Sequence, residues 1–195
     1  MYQQQSLFSK STLRELERPY GSRSTPMTFS ATMLQAWKQR IYRFQQTVLA
    51  DRSQPLQGSI LETDALWSTL QQLDPFSLPQ QNTEFWRGSF PDPGTAAYYF
   101  VTDMELPLLL YVGETCQSNQ RWKGEHDCKG YLFNYVALHR RYDQAVSVRI
   151  GFCFEAPKAT RHRQRLEQQL IQHWRSPFNK ENWRHWGTPF ASPKT

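Results

Sequence analysis

Two short runs rich in aromatic and apolar residues, at 97–103 and 108–114, constrain the fold of this chain more than any other feature. Each run has the composition and the length of a β-strand. The four residues between them allow only a tight connection, which predicts an antiparallel hairpin. A β-sheet is therefore the expected centre of the fold.

A third strand is predicted at residues 145–154, where apolar residues from Val146 to Phe152 alternate with Ser147, Arg149 and Gly151. Helical periodicity predicts helices at 30–48, which Ser30 would cap, and at about 59–73, where Ser59 and Glu62 form a capping box. Further helices are predicted at 119–126, 131–142 and 160–174, the last ending before a proline.

These elements predict an α+β fold, with a small three-stranded antiparallel sheet flanked by helices and an N-terminal helical extension. Three segments are expected along the 195 residues. Residues 1–28 form a flexible segment rich in Gln, Ser, Arg and Pro, and residues 29–96 form the helical extension and a Pro-rich connector. Residues 97–195 form the sheet-containing domain with an aromatic C-terminal tail.

The charge distribution favours a polyanionic partner. The formal net charge is +6 and the pI is about 9.3. Residues 97–195 carry 14 Lys or Arg against 9 Asp or Glu, whereas residues 1–96 carry 9 against 8, so the excess lies with the predicted sheet.

The cysteines and the hydropathy pattern bear on the compartment. Cys116, Cys128 and Cys153 form no Cys-x-x-Cys pair, so we expect ordinary thiols rather than a disulfide framework or, with His126, a zinc site. No apolar stretch has the length of a membrane span. We therefore expect a soluble cytoplasmic protein with no membrane partner.

One carboxylate interrupts the apolar face of the last predicted helix. Leu170, Ile171 and Trp174 follow Glu167 at intervals of three, four and seven residues, so the carboxylate shares their face. An unpaired charge is costly there. A metal ion would satisfy it, and so would a salt bridge to Arg121 or Arg149; the residues alone leave both open.

Six positions, taken together and in order, resemble the GIY-YIG endonuclease superfamily over about residues 97–182. Ala97-Tyr98-Tyr99 stands where the family has Gly-Ile-Tyr, and Tyr111-Val112-Gly113 stands where it has Tyr-Ile-Gly. The remaining matching positions are Arg121, His126, Glu167 and Asn179. Ala97 replaces the family glycine and leaves a choice between Tyr98 and Tyr99; we take Tyr99, because Val101 then matches the apolar position that follows.

The resemblance implies a metal-dependent endonuclease that hydrolyses phosphodiester bonds in DNA. Glu167 would bind Mg²⁺ or Mn²⁺, and Arg121 would contact the phosphate. Tyr99 would take a proton from the attacking water, with Tyr111 and His126 positioning it. Because free tyrosine titrates near pH 10, the nearby cations must lower its pKa for that role; otherwise Tyr99 only orients the water.

The expected partner is DNA, with branched or damaged DNA among the substrates, and the expected location is the nucleoid. We expect the basic side chains of the same domain to contact phosphates. They are Lys123, Arg140, Arg141, Arg161, Arg163 and Arg165. The sequence carries no signal for an oligomeric state.

Other interpretations stay open. Individually, Tyr99 and Tyr111 are also compatible with half-buried strand tyrosines, Arg121 with a solvated helix residue and Asn179 with a turn cap. A non-catalytic nucleic-acid-binding protein on the same fold is the second hypothesis. A sequence-specific type II restriction enzyme is a special case of the first.

Overall fold

The computed structural model describes residues 29–51, 62–82, 94–118 and 127–190, with only the backbone for 62–64. The helices in these residues are α1 (Ala31–Asp51), α2 (Glu62–Gln72), α3 (Asp127–Arg141), α4 (Thr160–Trp174) and α5 (Trp183–Trp186). The strands are β1 (Gln81–Asn82), β2 (Ala97–Asp103), β3 (Leu108–Thr115) and β4 (Val148–Cys153), and a 3₁₀ turn covers Lys180–Asn182.

The described strands form an antiparallel sheet in the order β1-β4-β2-β3. The predicted α+β class is confirmed, but the predicted count of three strands was too low. The additional strand, β1, consists of two polar residues that pair with Ile150 and Arg149. Neither its length nor its composition distinguishes it from the surrounding Pro-rich connector.

An extra residue in β3 changes the direction of its side chains. Val101 of β2 pairs with Tyr111, but the next residue, Thr102, pairs with Leu109, so Leu110 is a bulge. A β-bulge breaks the strict alternation of faces. As a result Leu110 and Tyr111 both pack on one core, whereas Leu109 packs on the other.

The sheet separates two hydrophobic cores. One contains Tyr99 and Val101 from β2 together with side chains of α1, α3 and the C-terminal segment. The other contains Tyr98 and Phe100 with side chains of α2 and α4. Helix α1 contributes side chains to both cores, so it packs against the sheet as part of the same folded unit.

Two polar side chains of α1 also join it to the sheet. The buried Lys38 donates to Asp103 Oδ2 over 2.9 Å, and Tyr135 donates to the same oxygen over 2.7 Å. The amide of Gln45 accepts from the Leu109 N–H (2.8 Å) and donates to the Leu109 carbonyl (2.9 Å). The buried Lys38 and Gln45 side chains thus both have hydrogen-bond partners in the sheet, as burial requires.

Most predicted boundaries agree with the structure. Ser30 caps α1 by accepting from the Met33 N–H (3.1 Å), and α4 covers the predicted residues 160–174. Helix α3 begins four residues earlier than predicted, and β4 is shorter than predicted at both ends. The Ser59 cap, the helix at 119–126 and the segment 1–28 lie outside the described residues. No helix in the part that is described is long and apolar enough to cross a membrane.

Candidate active site

Tyr99 and Tyr111 lie together on one face of the β2–β3 hairpin. Their rings stack with centroids 6.0 Å apart and planes 23° apart. Gly113 pairs directly with Tyr99, and a Cβ built on it would clash with the hydroxyl end of the Tyr99 ring, 2.7 Å from Cε2 and closer still to Cζ and Oη. The absence of a side chain at Gly113 therefore permits the position of the Tyr99 ring.

Tyr98 lies on the opposite face of β2, as strand alternation requires. It is buried in the second core, and its hydroxyl donates to the Arg163 carbonyl over 3.2 Å. Burial raises its pKa above the usual value for tyrosine. The structure thus brings Tyr99, and not Tyr98, next to Tyr111.

The environment of Tyr111 keeps its hydroxyl protonated. Burial is the largest cause that raises its pKa, and the nearby Tyr99, Cys128 and Glu167 add to it. A hydrogen bond with the Tyr99 side chain acts in the same direction. The two hydroxyls therefore share one hydrogen bond.

Glu167 reaches the outer edge of the sheet from α4. Its Oε1 accepts a 3.0 Å hydrogen bond from the Glu114 N–H, one of the outward-facing groups of β3. The alternative salt bridge from Glu167 to Arg149 is excluded by the positions of the two residues. Arg149 lies on β4 opposite Thr102, whereas Glu114 pairs with Tyr98, four residues away along β2. That separation is roughly 13 Å along the strand. The other alternative partner, Arg121, lies outside the described residues.

Arg163 was wrongly predicted as a phosphate contact. It is 2% exposed, and its Nε forms an ion pair with the Glu114 carboxylate. Its Nη1 donates to the carbonyls of Pro157 (2.9 Å) and Lys158 (3.0 Å). Because Arg163 precedes Glu167 by one helical turn, the pair fixes α4 against β3 at the point where Glu167 reaches the strand.

Asn179 also binds the edge of β3. Its side-chain amide accepts from the Val112 N–H (3.0 Å) and donates to the Val112 carbonyl (2.9 Å). Ser176 donates to the same Oδ1 over 2.6 Å, which orients the amide. Both polar atoms of the Asn179 amide are thus bound within the protein, so the structure makes it a positioning residue.

The other predicted basic residues divide between the two ends of the sheet. Arg161 and Arg165 are exposed on the first half of α4, near the end at which Glu167 meets β3. Arg140 and Arg141 are exposed in the last turn of α3, close to the start of β4 at the opposite end. Arg121, Lys123 and His126 fall in residues 119–126, outside the described residues.

The donor set at Glu167 fits a hard divalent cation with few protein ligands. Within the residues described, no three His, Cys, Asp or Glu side chains are grouped to hold a metal ion together. Mg²⁺ does not need such a group, because it keeps several waters and is commonly held by one or two carboxylates and the substrate phosphates. The half-exposed Glu167 is suited to this kind of binding.

Sequence reasoning missed three features of the site. They are the bulge at Leu110, the close approach of Tyr99 to Gly113 and the double role of Glu114, whose backbone binds Glu167 and whose side chain binds Arg163. Arg163 did carry a usable signal: it lies three residues before Leu166, on the apolar stripe of α4.

Comparisons of the chain with protein-family models, curated proteins and solved structures give no match. The fold and the site define an α+β protein with a tyrosine pair and a carboxylate at one edge of its sheet. The assignment to the GIY-YIG superfamily remains a prediction that depends on the residues quoted above.

Proposed function

We propose that the protein is a metal-dependent endonuclease that hydrolyses phosphodiester bonds in DNA. The observation that supports this proposal is the convergence of Tyr99, Tyr111 and Glu167 at the end of β3. Tyr111 shares a hydrogen bond with Tyr99, and the charge of Glu167 acts on Tyr111. Residues far apart in sequence are thus brought together, which supports a role for them in water-mediated attack on a phosphate.

In this proposal the hydroxyl of Tyr99, a side chain that is 0% exposed, contacts a water held inside the site, and Tyr111 positions Tyr99. A hydrogen bond donated by Tyr111 would stabilise negative charge on the Tyr99 oxygen, which favours Tyr99 as a proton acceptor. Tyr99 first loses its own proton to solvent. The water then forms the new bond to phosphorus and gives its proton to the Tyr99 phenolate. The bond to the 3′ oxygen breaks, and that oxygen takes a proton from solvent.

Glu167 is the residue that would hold Mg²⁺ or Mn²⁺. A bound divalent cation would supply positive charge to the phosphate and to the leaving oxygen. The Glu114 N–H fixes one oxygen of the carboxylate, and the ion pair of Arg163 fixes the helix that carries it. We assign the phosphate contact to Arg121, in keeping with the resemblance.

A non-catalytic nucleic-acid-binding protein is the second candidate. It is favoured by the hydrogen bond from Glu114 to Glu167, since a carboxylate that caps a strand edge already has a structural role. The two candidates differ in one property, which is turnover.

The test is cleavage of labelled linear, branched and single-stranded DNA and of RNA, with Mg²⁺ or with EDTA. Wild type should cut DNA in Mg²⁺ but not in EDTA, and Glu167→Gln should bind DNA without cutting it. Glu181→Gln is the matched control, because Glu181 is exposed and bonds only to Gln168 among the described contacts. Near wild-type turnover by Glu167→Gln would remove Glu167 from the site, and no cleavage of any substrate would favour the second candidate.

A further inference from the structure

Two arginines and a histidine from three different segments converge beyond the C-terminal end of α4. They are Arg40 of α1, Arg175, which ends α4, and His185 of α5, and all three are exposed. Arg175 Nη1 and His185 Nε2 are 3.2 Å apart, and Arg40 donates to the Trp186 carbonyl over 2.8 Å.

Each of these side chains is held in place by uncharged neighbours. The Arg175 guanidinium lies 4.9 Å from the centroid of the Phe44 ring, a cation–π distance. The Trp186 indole N–H donates to the Arg175 carbonyl, while the Trp186 carbonyl accepts from Arg40. No carboxylate of the described residues pairs with any of the three side chains. Two ordered guanidinium groups without an anion are an arrangement that a bound anion would stabilise.

The electrostatics of His185 agree with this arrangement. Its pKa is lowered by partial burial and by the charges of Arg175 and then Arg40. A cation at the end of α4 also has a structural benefit, since it interacts favourably with the helix dipole. That benefit accounts for one cation at Arg175 but not for the approach of Arg40 and His185 from other elements.

We infer that Arg40, Arg175 and His185 form a second phosphate-binding site, which takes the backbone of the DNA at a distance from the cleavage point. The inference rests on the proposed function, since it adds a contact for the same substrate. Arg175 follows Glu167 by eight residues, or about 12 Å along the helix axis. Successive phosphates of one strand are about 3.4 Å apart along a duplex axis, so this corresponds to roughly three or four nucleotides.

The experiment measures salt dependence, using a fluorescein-labelled 20-base-pair duplex in EDTA and the full-length protein. Each phosphate contact contributes roughly 0.9 to the slope of log binding constant against log salt. Arg40→Gln and Arg175→Gln should each lower the slope by about that amount and weaken binding roughly eight-fold at 0.1 M salt. The double variant should lose about twice as much slope.

Arg149→Gln is the matched control. It removes the same charge from an exposed arginine on β4, two strands from β3, and should keep the wild-type slope. Because Arg175 adopts a left-handed conformation (φ 45°) that a substitution can disturb, Arg40→Gln supplies an independent test from another helix. Equal slopes for Arg40→Gln and wild type, or an equal loss in Arg149→Gln, would overturn the inference.

A second measurement separates binding from stabilisation of the helix end. An NMR titration of His185 should show its pKa rising when the duplex is added, because a phosphate favours the imidazolium form. An unchanged pKa in the complex would also overturn the inference. A wild-type protein that binds no duplex at all would contradict the proposed function itself. A wild type that binds the duplex, with variants that keep the same salt slope, would contradict only the second phosphate-binding site.

Discussion

The N–H of Glu114 binds the carboxylate of Glu167, while the Glu114 carboxylate binds Arg163 one turn earlier on the same helix. One residue of β3 thereby holds α4 at two successive turns. The position of the proposed metal ligand depends on this double attachment, which can be tested by removing either half.

The first prediction concerns the ion pair between Arg163 and Glu114. Arg163→Gln leaves the Glu114 carboxylate, 16% exposed, without its cation, and breaking a pair this buried costs about 3–5 kcal/mol. Urea unfolding should show a loss of that order. Arg161→Gln, an exposed neighbour on the same helix, should change the free energy of unfolding by no more than about 0.5 kcal/mol. Equal losses in the two variants would contradict the importance of the pair.

The second prediction concerns Gly113. Gly113→Ala places a methyl group where the Tyr99 ring lies, so the ring must move, and we expect lower cleavage together with a loss of about 1–3 kcal/mol of stability. Gly130→Ala is the control, because nothing lies within 4 Å of the added Cβ in α3. It should be neutral or stabilise the protein by up to about 1 kcal/mol. Cleavage assays and thermal unfolding would decide; a fully active Gly113→Ala would remove Tyr99 from the site.

The third prediction separates the two adjacent tyrosines. Tyr99→Phe removes the oxygen proposed to take the proton of the water, which is also hydrogen-bonded to Tyr111, so cleavage should fall by orders of magnitude with little change in the fold. Tyr98→Phe removes only a buried hydrogen bond to the Arg163 carbonyl, at a cost of about 1 kcal/mol. Single-turnover cleavage rates should therefore distinguish them. The reverse order of rates would show that the first motif was aligned one residue out.

The fourth prediction concerns His139, which is fully buried beside Lys38. Nδ1 lies 2.8 Å from the Tyr135 carbonyl, so it carries the proton, and Nε2 lies 3.1 Å from Lys38 Nζ and accepts. Burial, followed by the charge of Lys38, lowers the His139 pKa to about 4, despite opposing contributions from the Tyr135 carbonyl and Asp103.

The sign of the pH effect follows from this lowered pKa. Between pH 6.5 and 4 the unfolded chain takes up a proton at His139 that the folded protein does not, so the stability falls as the pH falls through this window. The full loss below pH 4 is about 3 kcal/mol. Urea unfolding at several pH values should show that the free energy of unfolding falls less steeply with falling pH for His139→Gln than for wild type. His185→Gln, which removes an exposed imidazole, should keep most of the slope; an unchanged slope in His139→Gln would contradict the prediction.

Hydrophobic periodicity predicted most of the helices and strands, because burial of one face dictates the spacing of apolar residues. The same rule identified Glu167 as a carboxylate on an apolar stripe. Applied equally to Arg163, Lys38 and Gln45, it would have predicted that these three are buried, since each lies three or four residues from buried apolar residues of its helix. Arg163 was instead assigned to the surface because its charge alone was considered.

Other features depend on pairing between segments and could not be predicted from spacing. The bulge at Leu110 appears only when β3 is aligned with β2, and it decides that Tyr111 faces Tyr99. The partners of Asn179 and Gln45 are backbone groups of β3, which carry no sequence signature. Strict alternation along residues 108–111 would have placed Tyr111 with Leu109, in the other core.

The attachments along β3 have a consequence for how two copies of the protein can assemble. Outward-facing backbone groups of this outer strand are bound by Gln45 at Leu109, Asn179 at Val112 and Glu167 at Glu114. A second copy cannot extend the sheet along this stretch without displacing those side chains. An assembly of two copies must therefore use another surface, and the side chains that bind this edge also keep the strand from templating aggregation.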